Sequence, residues 1–272
     1  MSRQVGAVKA AGKIALLLLW TLLLLPAQAG ALAVRSPLAK KLPVLYHRVN
    51  CRIIGIAVEV TGTPSAVAPT LIVANHTSYL DIIVLSALKP VSFVAKHEVA
   101  SWPLFGMLAK LQRSVFVVRR ASRSAAHRDD IALRLAEGDD LVLFPEGTSN
   151  DGNRVLRFNS TFFAVADQDV DGQPLTVQPV SIAYNALGNL PMRRSMRPFF
   201  AWYGDMDLPS HLWAALTLAP FGVRVVFHPP LTRESFGSRK AMALHCHRVV
   251  ADGVASALTG RDGAPAQLQG AA

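Results

Sequence analysis

The chain has 272 residues, 51% of them hydrophobic and 17% charged, which is long enough for one large domain with a buried core. A formal net charge of +10 indicates an anionic partner, such as a lipid head group, a nucleic acid or a phosphorylated substrate. Two cysteines, Cys51 and Cys246, exclude a disulfide framework and a cysteine-rich zinc site.

The positive charge is concentrated at the N-terminal end of the chain. The first 58 residues contain eight lysines and arginines and no acidic residue. These charges flank an uncharged apolar run, and they do not form a basic stripe with interleaved aromatic residues. The pattern therefore favours a membrane surface as the partner and argues against nucleic acid.

The uncharged run itself, residues 14–34, has two interpretations. Its apolar core, residues 14–25, is 12 residues long, whereas a membrane span needs about 20. A basic start, a short apolar region and a small-residue site at Ala27-Gln28-Ala29 are typical of a cleaved signal peptide. Basic residues on both sides of the run are instead typical of an uncleaved anchor that spans the membrane or lies in it.

Short apolar strands alternate with helices along the rest of the chain. The predicted strands are residues 51–60, 71–74, 91–95, 115–118, 141–144, 176–183, 198–203 and 223–227. The predicted helices are residues 78–88, 103–111, 122–137, 210–218 and 239–258. This alternation predicts an α/β fold with a largely parallel sheet flanked by helices.

The expected organisation has three parts. Residues 1–48 form an N-terminal hydrophobic, helical, membrane-anchoring segment, residues 49–259 form the α/β domain, and residues 260–272 form a flexible tail rich in glycine and alanine. No internal repeat or low-complexity linker divides the central part.

A histidine and an aspartate lie five residues apart in the stretch NHTSYLD, residues 75–81, between two apolar segments. On one straight helix five residues turn about 500°, which leaves the two side chains about 140° apart. His76 and Asp81 can meet if His76 precedes the helix and the chain folds back over its first turn. An aspartate bonded to one ring nitrogen leaves the other free as a base.

No G-x-S-x-G motif supplies a serine for such a base, so the hydroxyl that it activates would belong to the substrate. The alternative for residues 75–81 is a strand end followed by an ordinary capped helix.

The second stretch of interest is FPEGT, residues 144–148, at the C-terminal end of a predicted strand. Ligands of α/β sheets bind at that edge. Pro145 ends the strand, Gly147 permits a tight turn, and Glu146 is left at the rim. A plain strand-to-loop turn is the alternative.

Together these stretches resemble the motifs of the glycerolipid acyltransferases, the family of the lysophosphatidate acyltransferases. Four stretches match the family's motifs in the family's order: NHTSYLD at 75–81, SVFVVR at 114–119, FPEGT at 144–148 and VQPV at 177–180. The resemblance covers about residues 70–185.

The resemblance implies acyl transfer from a thioester, either acyl-CoA or an acyl-carrier protein, to the free hydroxyl of a lyso-lipid. The expected acceptor is 1-acylglycerol-3-phosphate, which would give phosphatidate, and no cofactor or metal is expected. His76 would be the base and Asp81 would orient it. The residues implied in substrate binding are Asn75, Arg119, Glu146, Gly147, Thr148 and Pro179.

Arg119 would clamp the anionic group of the acceptor, and Glu146 and Gly147 would face its glycerol portion. Because thioester donors are cytoplasmic, the active site is expected on the cytoplasmic face of a membrane. That location favours the uncleaved anchor over the signal peptide.

Two departures from the family's pattern concern the acceptor. The third motif usually continues with an arginine, but Ser149 follows FPEGT here, so Arg120, Arg154 or Arg157 would have to substitute. The second motif lacks its usual glycine. A lyso-aminolipid such as lyso-ornithine lipid is therefore an alternative acceptor. An exported lipid-binding protein with a degenerate site is the alternative from another class.

Overall fold

The computed structural model describes residues 2–117, 124–170 and 172–260 of the chain. Its helices are α1 (Ser2–Ala33), α2 (Leu38–Ile54), α3 (Leu80–Leu88), α4 (Phe105–Leu111), α5 (Ser124–Ala136), α6 (Leu208–Thr217) and α7 (Arg239–Thr259). Its strands are β1 (Ile56–Thr61), β2 (Thr70–Ala74), β3 (Ser92–Lys96), β4 (Val115–Val117), β5 (Leu141–Leu143), β6 (Asp169–Val170), β7 (Gln173–Pro174), β8 (Thr176–Leu187), β9 (Leu190–Pro191) and β10 (Phe221–Phe227).

The main sheet has the strand order β1-β10-β8-β2-β5-β3-β4, and β9 pairs with β8 outside this path. Along the path all neighbours are parallel except β10 and β8, which are antiparallel. The prediction of a largely parallel α/β sheet is therefore confirmed.

Helices cover both faces of this sheet. Along β2 every residue is buried, and neighbours alternate between two cores: Leu71 and Val73 belong to one, Ile72 and Ala74 to the other. A strand buried on both faces reads as a continuous apolar run, which is what TLIVA shows. The centre of the sheet is thus buried on both faces at the point where β2 leads into residues 75–81.

The predicted strand at residues 51–60 is wrong in its first half. Helix α2 continues through Ile54, ends at Gly55 with a left-handed φ of 90°, and β1 begins only at Ile56. The buried residues of α2 recur at helical spacing: Ala39, Pro43, His47, Asn50, Cys51 and Ile54. A short apolar run such as CRII is compatible with a helix or a strand, and here its packing as part of α2 determines the helix. The expected boundary between residues 48 and 49 falls within this helix.

The predicted strand at residues 198–203 is also wrong. The chain there forms a 3-10 turn, Arg194–Phe199, and then an irregular segment. Phe200 and Ala201 donate their backbone N–H groups to the carbonyl of Arg197, at 3.0 and 3.2 Å, and not to a neighbouring strand. Because these N–H groups are bonded within the turn, they are not available to a sheet, and the apolar run does not form a strand.

Helix α1 is long and apolar enough, from Gln4 to Ala33, to cross a membrane. One side of it packs on the core through Ile14 and Leu17, and Lys13 Nζ donates to the carbonyl of Ile54 at 2.8 Å. On the other side lie five leucines that are 49–68% exposed: Leu16, Leu18, Leu19, Leu22 and Leu23. An apolar surface of this kind marks a membrane or protein contact. The expected tail lies outside the described residues apart from Gly260.

Candidate active site

The candidate site lies where two neighbouring parallel strands end. Val73 of β2 pairs with Leu143 of β5, so the two strands finish at the same edge of the sheet. NHTSYLD follows β2 and FPEGT follows β5. The topology therefore brings the two motifs together at the carboxyl edge, the usual position for ligands in such sheets.

His76 and Asp81 form the expected pair. His76 Nδ1 lies 2.9 Å from Asp81 Oδ2. Asp81 is fully buried in the first turn of α3, whereas the His76 side chain is 21% exposed. The ring of His76 stacks on Phe144, with centroids 4.1 Å apart. Because Nδ1 is bonded to Asp81, Nε2 is the nitrogen available to a substrate hydroxyl.

Four hydrogen bonds fix the carboxylate of Asp81. Oδ2 also accepts the backbone N–H groups of Thr77 at 2.7 Å and Ser78 at 3.0 Å, and Oδ1 accepts the hydroxyl of Tyr184 at 2.7 Å. Burial, together with the charge of Asp81, raises the pKa of Tyr184 well above its usual range, which keeps the phenol protonated as a donor. The carboxylate cannot rotate without losing at least one of these contacts.

Asn75 docks the motif on β8. Its side-chain nitrogen donates to the carbonyl of Ile182 at 2.9 Å, and its oxygen accepts the N–H of Ile182 at 2.8 Å. Pro179, on the same strand, is buried in the sheet opposite Val73. Both residues were predicted to bind substrate, and the structure places them in contact with the protein backbone beneath the site.

Glu146 joins three backbone segments at the site. Its Oε1 accepts the N–H of His76 at 2.7 Å, and its Oε2 accepts the side chain of Asn150 and the N–H of Leu156, both at 2.8 Å. Burial raises the pKa of Glu146 to about 7, although these donors and His76 act in the opposite direction. Gly147 has a left-handed φ of 72° that favours glycine, and Thr148 is exposed.

We expect Glu146→Gln to destabilise the protein and to slow acyl transfer. An amide cannot accept all three hydrogen bonds, because its NH₂ group must face either His76 N–H or the pair from Asn150 and Leu156. An unsatisfied buried donor costs about 1–3 kcal/mol of unfolding free energy. Urea unfolding and kcat would be measured beside Glu234→Gln on an exposed turn. Wild-type stability in Glu146→Gln would contradict this role.

The arginines that the motifs predicted are only partly covered by the described residues. Arg119, the expected anion clamp, and Arg120 lie outside the described residues. Arg197, on the 3-10 turn Arg194–Phe199, donates from Nη1 to Asn153 Oδ1 at 3.0 Å, next to the loop that follows FPEGT. This turn was not predicted from the sequence, although three arginines within five residues, RRSMR at 193–197, were a visible signal.

Ser149 stands where the family's third motif usually carries an arginine, and its hydroxyl is used internally. Ser149 Oγ donates to the carbonyl of Trp202 at 2.5 Å, and the N–H of Trp202 donates to the carbonyl of Thr77 at 3.0 Å. The Trp202 ring makes edge contacts with Tyr79 and Trp102, with centroids 6.2 and 6.1 Å apart. The segment around Trp202 thus joins both motifs and adds an aromatic wall beside them.

A histidine oriented by a buried aspartate, at the carboxyl edge of the sheet and next to FPEGT, is the arrangement that the sequence predicted for an acyl-transfer site. Across the parts of the chain that the structure covers, no group of histidine, cysteine, aspartate or glutamate side chains is arranged to hold a metal ion. A family model described as Acyltransferase matches residues 57–183.

One relative extends this match to nearly the whole chain, and another covers a shorter part of it. The lyso-ornithine lipid O-acyltransferase of Brucella abortus (strain 2308) is 38% identical over 95% of this chain and 98% of its own length. The 1-acyl-sn-glycerol-3-phosphate acyltransferase of Neisseria meningitidis serogroup B is 31% identical over 63% of this chain and 64% of its own. The chain belongs to the glycerolipid acyltransferase family, and it transfers an acyl group to a lyso-lipid.

The fold agrees with a solved structure. The 1-acyl-sn-glycerophosphate (LPA) acyltransferase PlsC from Thermotoga maritima superimposes with a TM-score of 0.57, at 21% identity, over 79% of this chain and 78% of that one.

Proposed function

We propose that this protein acylates the free hydroxyl of lyso-ornithine lipid. The observation that carries the proposal is the similarity, over nearly the full length of both chains, to the Brucella relative of that name. The relative named for a phosphate-bearing acceptor is similar over a shorter part of the chain. Ser149, at the position of an expected phosphate-binding arginine, also supports an acceptor without a phosphate. Lysophosphatidate, the acceptor expected from the motifs, is the second candidate.

The proposed reaction needs one base and no protein nucleophile. His76 Nε2 takes the proton of the acceptor hydroxyl as its oxygen attacks the thioester carbonyl carbon. The C–S bond breaks, the sulfur leaves as a thiolate, and the imidazolium returns the proton to it. A positioned general base of this kind contributes about 10²–10⁴-fold in rate. Asp81 holds the ring through the 2.9 Å contact at Nδ1 and stabilises the imidazolium that forms.

An acceptor panel tests the proposal. Purified protein would receive one acyl thioester, as its CoA ester and as its acyl-carrier-protein ester, with either lyso-ornithine lipid or lysophosphatidate. We expect a kcat/KM at least about tenfold higher for lyso-ornithine lipid, equivalent to about 1.4 kcal/mol of transition-state discrimination. Faster use of lysophosphatidate with both donors would replace this acceptor by the second candidate.

We also propose that α1 stays on the protein and attaches it to a membrane. Gln28, the middle residue of the candidate cleavage site, is buried, and its Nε2 donates to the carbonyls of Ala39 at 3.1 Å and Leu111 at 2.8 Å. Cleavage after Ala29 would remove these contacts. With α1 retained, the catalytic domain would face the cytoplasm, where thioester donors are found.

Replacing Leu19 and Leu22 by aspartate is expected to move the protein from the membrane to the soluble fraction. Both side chains are exposed, at 64% and 68%, so the core should remain intact. Each aspartate costs about 2.5–3.5 kcal/mol at the centre of a membrane span, and an interfacial helix loses apolar contact as well. Leu133→Asp, at an exposed leucine of α5, is the control. Unchanged membrane recovery would place the attachment elsewhere, and a mature start at Gly30 would indicate export.

A further inference from the structure

The loop of residues 150–153 packs directly on the catalytic segment. Asn150 donates to Glu146 Oε2, and Glu146 Oε1 accepts the N–H of His76. Gly152 has a left-handed φ of 73°, and a Cβ at this position would lie 3.0 Å from Thr77 Cγ2 and 3.8 Å from Arg197 Cβ. A group that contacts this loop therefore lies close to His76.

Asp151 presents a carboxylate on this loop. Asn153 donates to it twice, from the backbone N–H to Oδ1 at 3.1 Å and from the side chain to Oδ2 at 3.0 Å. The hydrogen bonds from Asn153, followed by the charges of Arg154 and Arg194, lower the pKa of Asp151. A carboxylate has about four acceptor positions, so capacity remains for a further donor on this partly exposed side chain.

Arg197 contacts the same loop and has unused donor capacity. Its Nη1 donates to Asn153 Oδ1 at 3.0 Å, and its Nη2 lies 3.5 Å from the carbonyl of Met192. Its Nε is buried and has no partner among the residues that the structure describes. Arg194 and Arg197 are three residues apart on the 3-10 turn, a spacing that places their side chains on the same face. Burial, followed by the charge of Arg194, lowers the pKa of Arg197. An anion bound between them would reduce this repulsion.

We propose that Asp151, Arg194 and Arg197 form the site that recognises the acceptor's head group, in which the guanidinium groups bind a carboxylate and Asp151 binds an ammonium group. This inference rests on the proposed acceptor, because an ornithine head group carries both charges. A phosphate head group would meet the same arginines but would be repelled by Asp151. The combination therefore favours a zwitterionic amino-acid head group over a phosphate.

The charge of Asp151 distinguishes the two head groups. We expect Asp151→Asn to raise KM for lyso-ornithine lipid about 10- to 150-fold with little change in kcat, the range for a lost charge-assisted contact. The same variant should use lysophosphatidate at least as well as the wild type does. Arg194→Ala should raise KM for both acceptors, and Arg193→Ala, at the exposed residue just before the turn, should raise neither.

An acceptor whose ornithine amine is acetylated separates recognition from damage to the loop. For the wild type, acetylation of the acceptor should weaken binding by the same factor as Asp151→Asn does for the native acceptor. For Asp151→Asn, acetylation of the acceptor should cause no further loss. The assignment would be overturned if Asp151→Asn raised KM, relative to the wild type, by the same factor for the native and the acetylated acceptor. An equal rise for lysophosphatidate would overturn it as well. A wild type that does not acylate lyso-ornithine lipid at all would refute the proposed function instead.

Discussion

His76→Ala is expected to reduce acyl transfer by about 10²–10⁴-fold while leaving the fold intact. The ring is partly exposed and stacks on Phe144, so its loss opens little space in the core. The backbone N–H of residue 76, which bonds to Glu146, survives the substitution. The rate would be measured with saturating donor and acceptor, and folding would be followed by circular dichroism and thermal unfolding.

The control for this substitution is His245→Ala, at an exposed histidine of α7 that the mechanism does not use. It should keep the wild-type rate. If His76→Ala retained more than about a tenth of that rate, general-base catalysis by His76 would be refuted, because the remaining effect would fall below the usual contribution of a base.

Asp81→Asn is expected to be almost as damaging, with a loss of up to about 10⁴-fold, the size seen when the orienting aspartate of a serine-protease triad becomes asparagine. The carboxylate takes four donors, at His76, Thr77, Ser78 and Tyr184. An asparagine must direct its NH₂ group at some of them. The imidazole then loses its partner or adopts the wrong tautomer, and buried N–H groups lose their acceptor.

Tyr184→Phe is the comparison variant for Asp81→Asn, because it removes the donor to Asp81 Oδ1 and leaves the His76 contact at Oδ2. Loss of a hydrogen bond to a charged group is worth about 1.5–3 kcal/mol, so kcat should fall about 10- to 150-fold with KM for both substrates unchanged. A loss as large as that of Asp81→Asn would mean that the two changes damage the fold and not the orientation of His76. An unchanged kcat in Asp81→Asn would refute the role of Asp81 itself.

The sequence predicted the parts of the site that lie at strand ends. Residues 75–81 and 144–148 each follow a short apolar strand, and parallel strands bring such ends together. The contact between His76 and Asp81 followed from the turn geometry of a helix and is present at 2.9 Å.

The remaining parts depend on pairings between distant segments. Tyr184 reaches Asp81 because β8 pairs with β2 in a register that places Val180 opposite Ala74. Arg197 reaches the loop after FPEGT because its segment forms a 3-10 turn and packs there, outside the sheet. Neither contact can be predicted from local sequence periodicity, because long-range packing determines both. The same limit explains why CRII was assigned to a strand, although it completes the buried stripe of α2.

The hydrogen bond from Ser149 to the Trp202 carbonyl has an evolutionary consequence. An arginine at position 149 would remove this bond, and the segment at Trp202 also holds the carbonyl of Thr77, next to the base. A single substitution at position 149 would therefore add a phosphate-binding side chain and at the same time disturb the catalytic edge of the sheet. A lineage that exchanged one head group for another would need a compensating change near Trp202 first, so the two positions should show strong epistasis and a preferred order of substitution.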